Sequence, residues 1–323
     1  MIDFKNPDHQ ACLDPARRHD FILLFEVTDG NPNGDPDMDN QPRQDPETSH
    51  GLVTDVCLKR KVRNFIALTQ KDEKPNRIYV QDKGIYLNDL HAEAHEVAGI
   101  PKEKAKTPDR PKRDEARAWM CANFFDVRMF GAVMSTNVNA GQVRGPVQMT
   151  FARSEDPILP LDVTVSRVAL TDEKEKDRLA REAAAQETTE GSDTGEAERF
   201  GRSGTFGRKW IVPYGLYRGH GFFSAPFAKQ TGVTPADLQV FWEALMGMWD
   251  LDHSAARGLM SCRGLYVFSH ENGLGNAPAH QLFDRLELRL RDGVTTPRRF
   301  ADYVVTLNRD LPEGVTLTPL VEG

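Results

Sequence analysis

Hydrophobic and polar positions change period several times along the chain, and each change marks an element. Phe21-Ile-Leu-Leu-Phe25 is apolar without alternation, which predicts a strand over His19–Val27 buried on both faces. Residues 28–36, running on to Arg43 and Asp45-Pro46, are dense in Gly, Pro, Asn and Asp. That density predicts a turn-rich loop with positive-φ positions. A 3.6-residue period returns over Val53–Ile66. Thr54 is the expected N-cap, and Val53 and Leu58 occupy the places of a hydrophobic staple. Leu58, Val62, Phe65 and Ile66 fall on one broad helical face. Lys59 and Arg63, four residues apart, share another, which is expected to present two cations to an anion.

Downstream, Arg77–Val80 and Gly84–Leu87 read as short extended pieces. A helix is expected from Asn88-Asp89 through Val97, ended by Gly99. Residues 101–113, rich in Pro and Lys, read as a mobile basic loop. A helix over about 114–130 should turn Trp119, Ala122, Phe125 and Met129 inward, with Gly131 as its C-cap. Val147, Met149 and Phe151 alternate with polar residues, so a strand is expected there, and another over 161–169. Thr234-Pro-Ala-Asp237 opens a helix whose buried face carries Phe241, Leu245, Met248 and Trp249. Strands are expected at 265–268 and 286–290. The succession predicts the α+β class.

Charge changes this picture at two places. The net charge of −7 argues against nucleic acid when taken alone. Residues 171–198, however, hold ten acids against four bases, a contribution of −6 that leaves −1 for the rest. Lys59, Arg60, Lys61 and Arg63 then stand out as a dense cationic run, and residues 102–113 add six cations against two acids. Screening confines each field to about 8–10 Å, so a local basic face can bind phosphate on an acidic protein. The polar centre of 171–205 is expected to be disordered. Cys12, Cys57, Cys121 and Cys262 have no paired spacing, which suits a reducing cytoplasm and gives no zinc pattern. No stretch approaches the roughly 20 apolar residues of a membrane span.

Six segments together resemble the backbone subunit of the type I CRISPR surveillance complex, in the type I-C (DevR-like) branch of the Cas-seven family. They are Val27–Pro36, Gly51–Arg60, Phe130–Val133, Ala140–Gln148, Arg208–Arg218 and Gly275–His280. The resemblance implies a modified RNA-recognition-motif (ferredoxin-like) palm formed by one domain over 1–323. Residues 28–50 would be its guide-facing loop, 70–130 a helical, basic insertion (fingers), and 165–212 a projecting β-hairpin thumb with an acidic tip. The implied partners are CRISPR RNA, target DNA reached through the guide, further copies of the chain head to tail, a guide-end-capping subunit and a large subunit. No cofactor is implied. The stacking aromatics of an ordinary RNA-recognition motif are missing, so RNA is expected on loops and helix.

Because guide sequences vary, contacts should go to phosphate and sugar. The residues expected to make them are Asn31, Asn33, Arg43, Thr54, Lys59, Arg60, Arg63, Gln142 and Arg144. Met134 is weighed as a base contact against burial. Replacing Lys59 and Arg63 by Ala is expected to spare the core and flatten the salt dependence of RNA binding. Two other readings are weighed. Asp35, Asp37 and Asp39 could hold metal for a ribonuclease, although the spacing fails as a calcium loop at Asn40 and Pro46. The basic helix could instead bind an acidic protein. His91 and His95 share a helical face but lack the zincin Glu, so a surface pair is expected.

Overall fold

The computed structural model describes residues 4–70, 74–81, 84–167 and 205–323. After a short helical turn at Pro7–Gln10, its main elements in chain order are β1 (His19–Gly30), β2 (His50–Val53) and helix α1 (Asp55–Thr69). An inserted region holds α2 (Leu87–Val97), α3 (Arg110–Asn123), α4 (Phe125–Phe130) and the hairpin β3 (Gly131–Ser135) with β4 (Asn139–Arg144). Then come β5 (Val147–Met149), β6 (Ala152–Pro157), β7 (Leu161–Arg167) and the long β8 (Thr205–Phe223). Helices α5 (Ala225–Thr231) and α6 (Pro235–Leu251), strand β9 (Leu259–His270), α7 (Ala279–Phe283), β10 (Leu286–Leu290), β11 (Tyr303–Leu307) and β12 (Val315–Glu322) complete the chain.

The main sheet is antiparallel, in the order β12-β9-β1-β8-β6-β2, with β5 and β7 also bonded to β8. β1 lies at its centre, and its unbroken apolar run has a simple cause. Phe21, Leu23, Phe25 and Val27 face one core with α1 and α6, which pack against each other. Ile22 and Leu24 face the other, under Leu282, Phe283, Leu286 and Val315. Both sets of side chains are fully buried, and each Phe or Leu contributes about 1.5–3 kcal/mol by leaving water. Phe25 is stacked between Tyr217 and Trp249, at centroid distances of 5.3 and 4.6 Å. The second face of the sheet is therefore covered.

The caps read from sequence are present. Thr54 Oγ1 accepts from Cys57 N at 3.2 Å. Thr234 and Asp237 form a reciprocal capping box at the start of α6. Three expectations change. The helix over 114–130 starts earlier, at Arg110, and breaks at Phe124, whose backbone is extended (φ −119°, ψ 115°). The break lets one segment serve two cores: Phe125 and Met129 pack under α6, while Met120, Phe124 and Val127 fill a second core with Leu90 and Ala94. Ala122 consequently points outward. Residues 101–113 are a 3-10 turn followed by the first turn of α3. Arg77–Val80 forms no ladder; the Asp126 carboxylate accepts Tyr79 N at 2.8 Å and Val80 N at 3.0 Å instead.

β7 and β8 pair from Leu161 with Ile211 to Arg167 with Thr205, at the two ends of the stretch expected to form an arm. Its acidic tip, the helical expectation over 174–185 and the disorder expectation lie outside the described residues. Among the described residues, no helix is long and apolar enough to cross a membrane.

Candidate nucleic-acid interface

The loop after β1 is tightly self-bonded. Asn31 N donates to Ala256 O, and Asn31 Nδ2 to Asn40 O, both at 2.7 Å. Asn33 Oδ1 accepts from Thr54 N (2.9 Å) and Thr54 Oγ1 (3.0 Å), joining the loop to the start of α1. Asp35 caps the turn at Asp37 N and pairs with Arg43 Nη1 at 3.2 Å. Asp29, Asp39 and Asn40 take positive φ (49°, 49° and 58°), which Asp and Asn tolerate. At Gly30 a Cβ would collide with the Arg257 carbonyl, so only glycine lets the loop lie against residues 256–258. Asn31, Asn33, Arg43 and Thr54 are thus brought together, each spending side-chain bonds on holding the loop. Asp35 is committed to its cap and ion pair, and among the described residues no group of three or more metal-ligating side chains converges.

The expectation that Lys59 and Arg63 form an open cationic face is corrected. Arg63 Nε lies 2.7 Å from Asp126 Oδ2, with side-chain exposures of 11% and 1%. Lys59 Nζ pairs with Asp55 at 3.0 Å and lies over the Phe130 ring. Arg60 Nη1 donates to Val80 O at 2.7 Å. Lys61 is buried, paired with Asp252 and set over Trp249, and desolvation lowers its pKa. The run is a staple from α1 to three neighbouring segments. A buried cation needs a partner, and these partners come from distant parts of the chain.

Exposed charge is found instead where α3 meets β4. Arg113 and Arg117 lie across Gly141. Lys106, Arg117, Gln142 and Arg144 are exposed on the same part of the insertion, with Asn139 bonded to the backbone at 105 and 106. Gln142 and Arg144, two apart on β4, point outward, and Arg144 lies over Phe227 at 4.4 Å. Among the described residues Arg117 pairs with its neighbour Asp114 at 3.4 Å, a surface pair of little strength. The sequence carried Arg113 within its basic stretch. Arg117 was missed, because only the packing of α3 on β4 shows that it lies against Gly141.

Two further expectations are corrected. His91 and His95 are buried, not a surface pair. His91 Nε2 bonds Tyr79 Oη and Nδ1 bonds Val138 O, both at 2.8 Å, while His95 Nε2 bonds Asn139 O at 2.8 Å. Burial lowers the His91 pKa. Met134 is fully buried in the second core, which removes it as a base contact. Burial also raises the thiol pKa of all four cysteines, so none has thiolate character.

The CRISPR-associated protein Cas7 of Haloferax volcanii is 26% identical over 255 residues, 71% of this chain and 64% of that protein. The chain thus spans less than two thirds of that relative's length. Among solved structures, a chain of a pre-nicking CRISPR RNA-guided surveillance complex aligns with TM-score 0.47 and 11% identity, covering 78% of each chain. A second CRISPR RNA-guided surveillance complex gives 0.43 and 12%, covering 78% of this chain and 68% of that one. The family model described as CRISPR-associated protein Cas7 matches residues 17–308, nearly the whole length, and the chain belongs to that family.

Proposed function

We propose that the chain is a non-catalytic CRISPR RNA-binding backbone subunit of a type I-C surveillance complex. Copies line up head to tail along the guide and hold it for pairing with target DNA in the cytoplasm, beside a guide-end-capping subunit and a large subunit. The observation that carries this reading is the cationic region where α3 meets β4, with Arg117 and Arg144 exposed and Arg113 half-buried, on a member of the Cas7 family. Such a surface contacts phosphate and sugar without reading sequence. The order β9-β1-β8-β6, with α1 after β1 and α6 after β8, supports a ferredoxin-like, RNA-recognition-motif palm. The sheet face left open in an ordinary RNA-recognition motif is occupied here by α7 and β10, which supports binding through loops and insertions. In this reading 28–50 is the guide-facing loop, 70–130 the fingers and 165–212 the thumb. Asn33, Thr54, Lys59, Arg60 and Arg63 act by shaping the cleft rather than by donating free charge.

The test is size and affinity on RNAs of increasing length and unrelated sequence. The complex should grow in steps of one subunit mass, with affinity falling as salt rises. A fixed dimer at every length would refute the array, since head-to-tail contact between unlike surfaces does not close. Cleavage of labelled RNA in Mg²⁺ would replace this reading with a ribonuclease using Asp35, Asp37 and Asp39.

A further inference from the structure

Leu274 and Leu159 are the two most exposed large apolar side chains among the described residues, at 77% and 76%. They stand at opposite ends of the main sheet. Leu274 follows β9, just past the point where His19 pairs with Phe223 and Ser269. Leu159 precedes β7, next to the point where Thr28 pairs with Tyr214. The nine residue steps of β1 between His19 and Thr28 set the two ends about 30 Å apart. Each leucine rims an apolar cavity. Leu274 shares one of about 430 Å³ with Pro15, Ala225, Pro226 and Val233. Leu159 shares one of about 330 Å³ with Ile158, Leu161, Pro213, Leu216 and Pro297.

A single exposed leucine is ordinary on a protein surface. These two are set apart by how firmly they are held. Arg18 Nη1 donates to Leu274 O at 3.2 Å, and Leu274 N donates to Asn272 Oδ1 at 2.9 Å. Asn272 N donates to Asn276 Oδ1 at 3.0 Å. Gly275 takes φ +102°, and a Cβ there would collide with Arg18. Leu159 lies between Ile158 and Pro160; Ile158 N donates to Ser49 O at 2.9 Å, and Ile158 O accepts from Gln44 Nε2 at 2.7 Å. A side chain fixed in solvent beside a cavity is pre-organised for a partner.

We propose that Leu274 of one copy seats in the cavity beside Pro297 of the next copy, and that Leu159 of that copy seats in the cavity beside Pro226 of the first. The proposal rests on reading the chain as a subunit that lines up along RNA, and it names the surfaces by which copies meet. Charge selects the same pairing. Residues 271–278 carry one ionisable group, the exposed Glu271, while residues 294–299 carry the exposed Arg298 and Arg299 and no acid. Each end thus supplies the leucine, the cavity and the charge that fit the other, which favours a second copy over an unrelated partner. The contact is small. Two leucines and a charge pair bury far less than the roughly 800 Å² per partner of a stable complex. Free copies should therefore stay apart, and copies held side by side on one strand should gain the contact through effective concentration. The contact would act as cooperativity along the strand.

The experiment uses the full chain with two RNA strands, one of about a dozen nucleotides and one roughly five times longer. Wild type should bind the long strand cooperatively. Leu274→Asp and Leu159→Asp should each leave the melting temperature and the short-strand affinity unchanged. Each should lower the affinity for a second, neighbouring copy on the long strand about tenfold. The double variant Leu274→Cys with Pro297→Cys, treated with a short bismaleimide on the long strand, should give a ladder of two, three and more chains. Each single-cysteine variant should give no ladder. Should either aspartate variant melt lower, the ladder alone decides. A product that stops at two chains, or unchanged cooperativity in both aspartate variants, overturns the contact and leaves the RNA-binding reading standing. If wild type places only one copy on the long strand, that reading falls and the contact with it.

Discussion

The run Lys59–Arg63 and the stretch from Lys102 to Arg117 are both rich in positive charge, the first more densely, and they end in opposite environments. In α1, Arg63 and Lys61 are drawn into ion pairs with Asp126 and Asp252, 63 and 191 residues away, at side-chain exposures of 11% and 2%. In the insertion, Lys104, Lys112 and Arg117 pair with neighbours three to five residues off, at exposures between 44% and 55%. The difference teaches that cation density does not measure availability. A cation on a helix that packs on both sides is claimed by whatever carboxylate the fold brings near it. A cation on a helix with one face in solvent keeps its charge for a ligand, because a surface pair is worth only about 0–1 kcal/mol and yields easily.

The largest effect that can break this comparison is on stability. Arg63→Ala leaves Asp126 buried with an unpaired charge while it still holds Tyr79 N and Val80 N. A loss of about 3–5 kcal/mol is expected in chemical denaturation. An unchanged midpoint would return Arg63 to the ligand-facing set and undo the contrast.

Acid should separate the two regions next. Burial pushes His19 down to about 4, and His220, stacked on Phe283, also to about 4. Both are neutral when folded and take up protons more readily when unfolded. Their contribution is present above pH 6.5 and is lost as pH falls toward 4, about 3 kcal/mol for the fully buried His19. Arginine charge does not change in that window. Melting temperature should therefore fall between pH 6.5 and 4 while the salt slope of RNA binding, read on the protein still folded, holds. A falling slope would point to a histidine at the interface.

Removing the cations where α3 meets β4 should do the reverse of Arg63→Ala. The triple change Arg113→Ala, Arg117→Ala and Arg144→Ala is expected to lower the slope of log K against log salt by about 2, at roughly 0.7 per phosphate contact. Stability should stay within about 0.5 kcal/mol. A preserved slope with weakened folding would show that this surface packs against protein. The smallest effect sharpens the boundary: Lys59→Ala removes an i,i+4 pair with Asp55 at 3.0 Å and the contact over Phe130, and should cost about 1 kcal/mol. A cost near that of Arg63→Ala would place Lys59 in the buried staple proper.

Much of this was legible before any coordinates. The doubly buried β1, the Thr54 and Thr234 caps and the apolar faces of α1 and α6 follow from period and capping chemistry. Those signals act within a few residues, where backbone geometry leaves few choices. The candidate site was legible only as a set of residues. Asn33 and Thr54 were found because the loop and cap chemistry is local, and the fold joined them at 2.9–3.0 Å. The break at Phe124 was invisible, since a helical pattern continues through it and only two separate cores reward an extended residue there.

The sequence by itself determined that α1 and α6 are helices, that β1 is a strand buried on both faces, and that the chain holds concentrated charge of both signs. Tertiary structure alone decided which cations remain open to a ligand, where His91 and His95 lie, and that Leu159 and Leu274 stand exposed at opposite ends of one sheet. The physical reason is the range of the forces. Propensity, periodicity and capping are settled between near neighbours. The desolvation of a charge or an N–H depends on every atom the fold brings near it, from any distance along the chain.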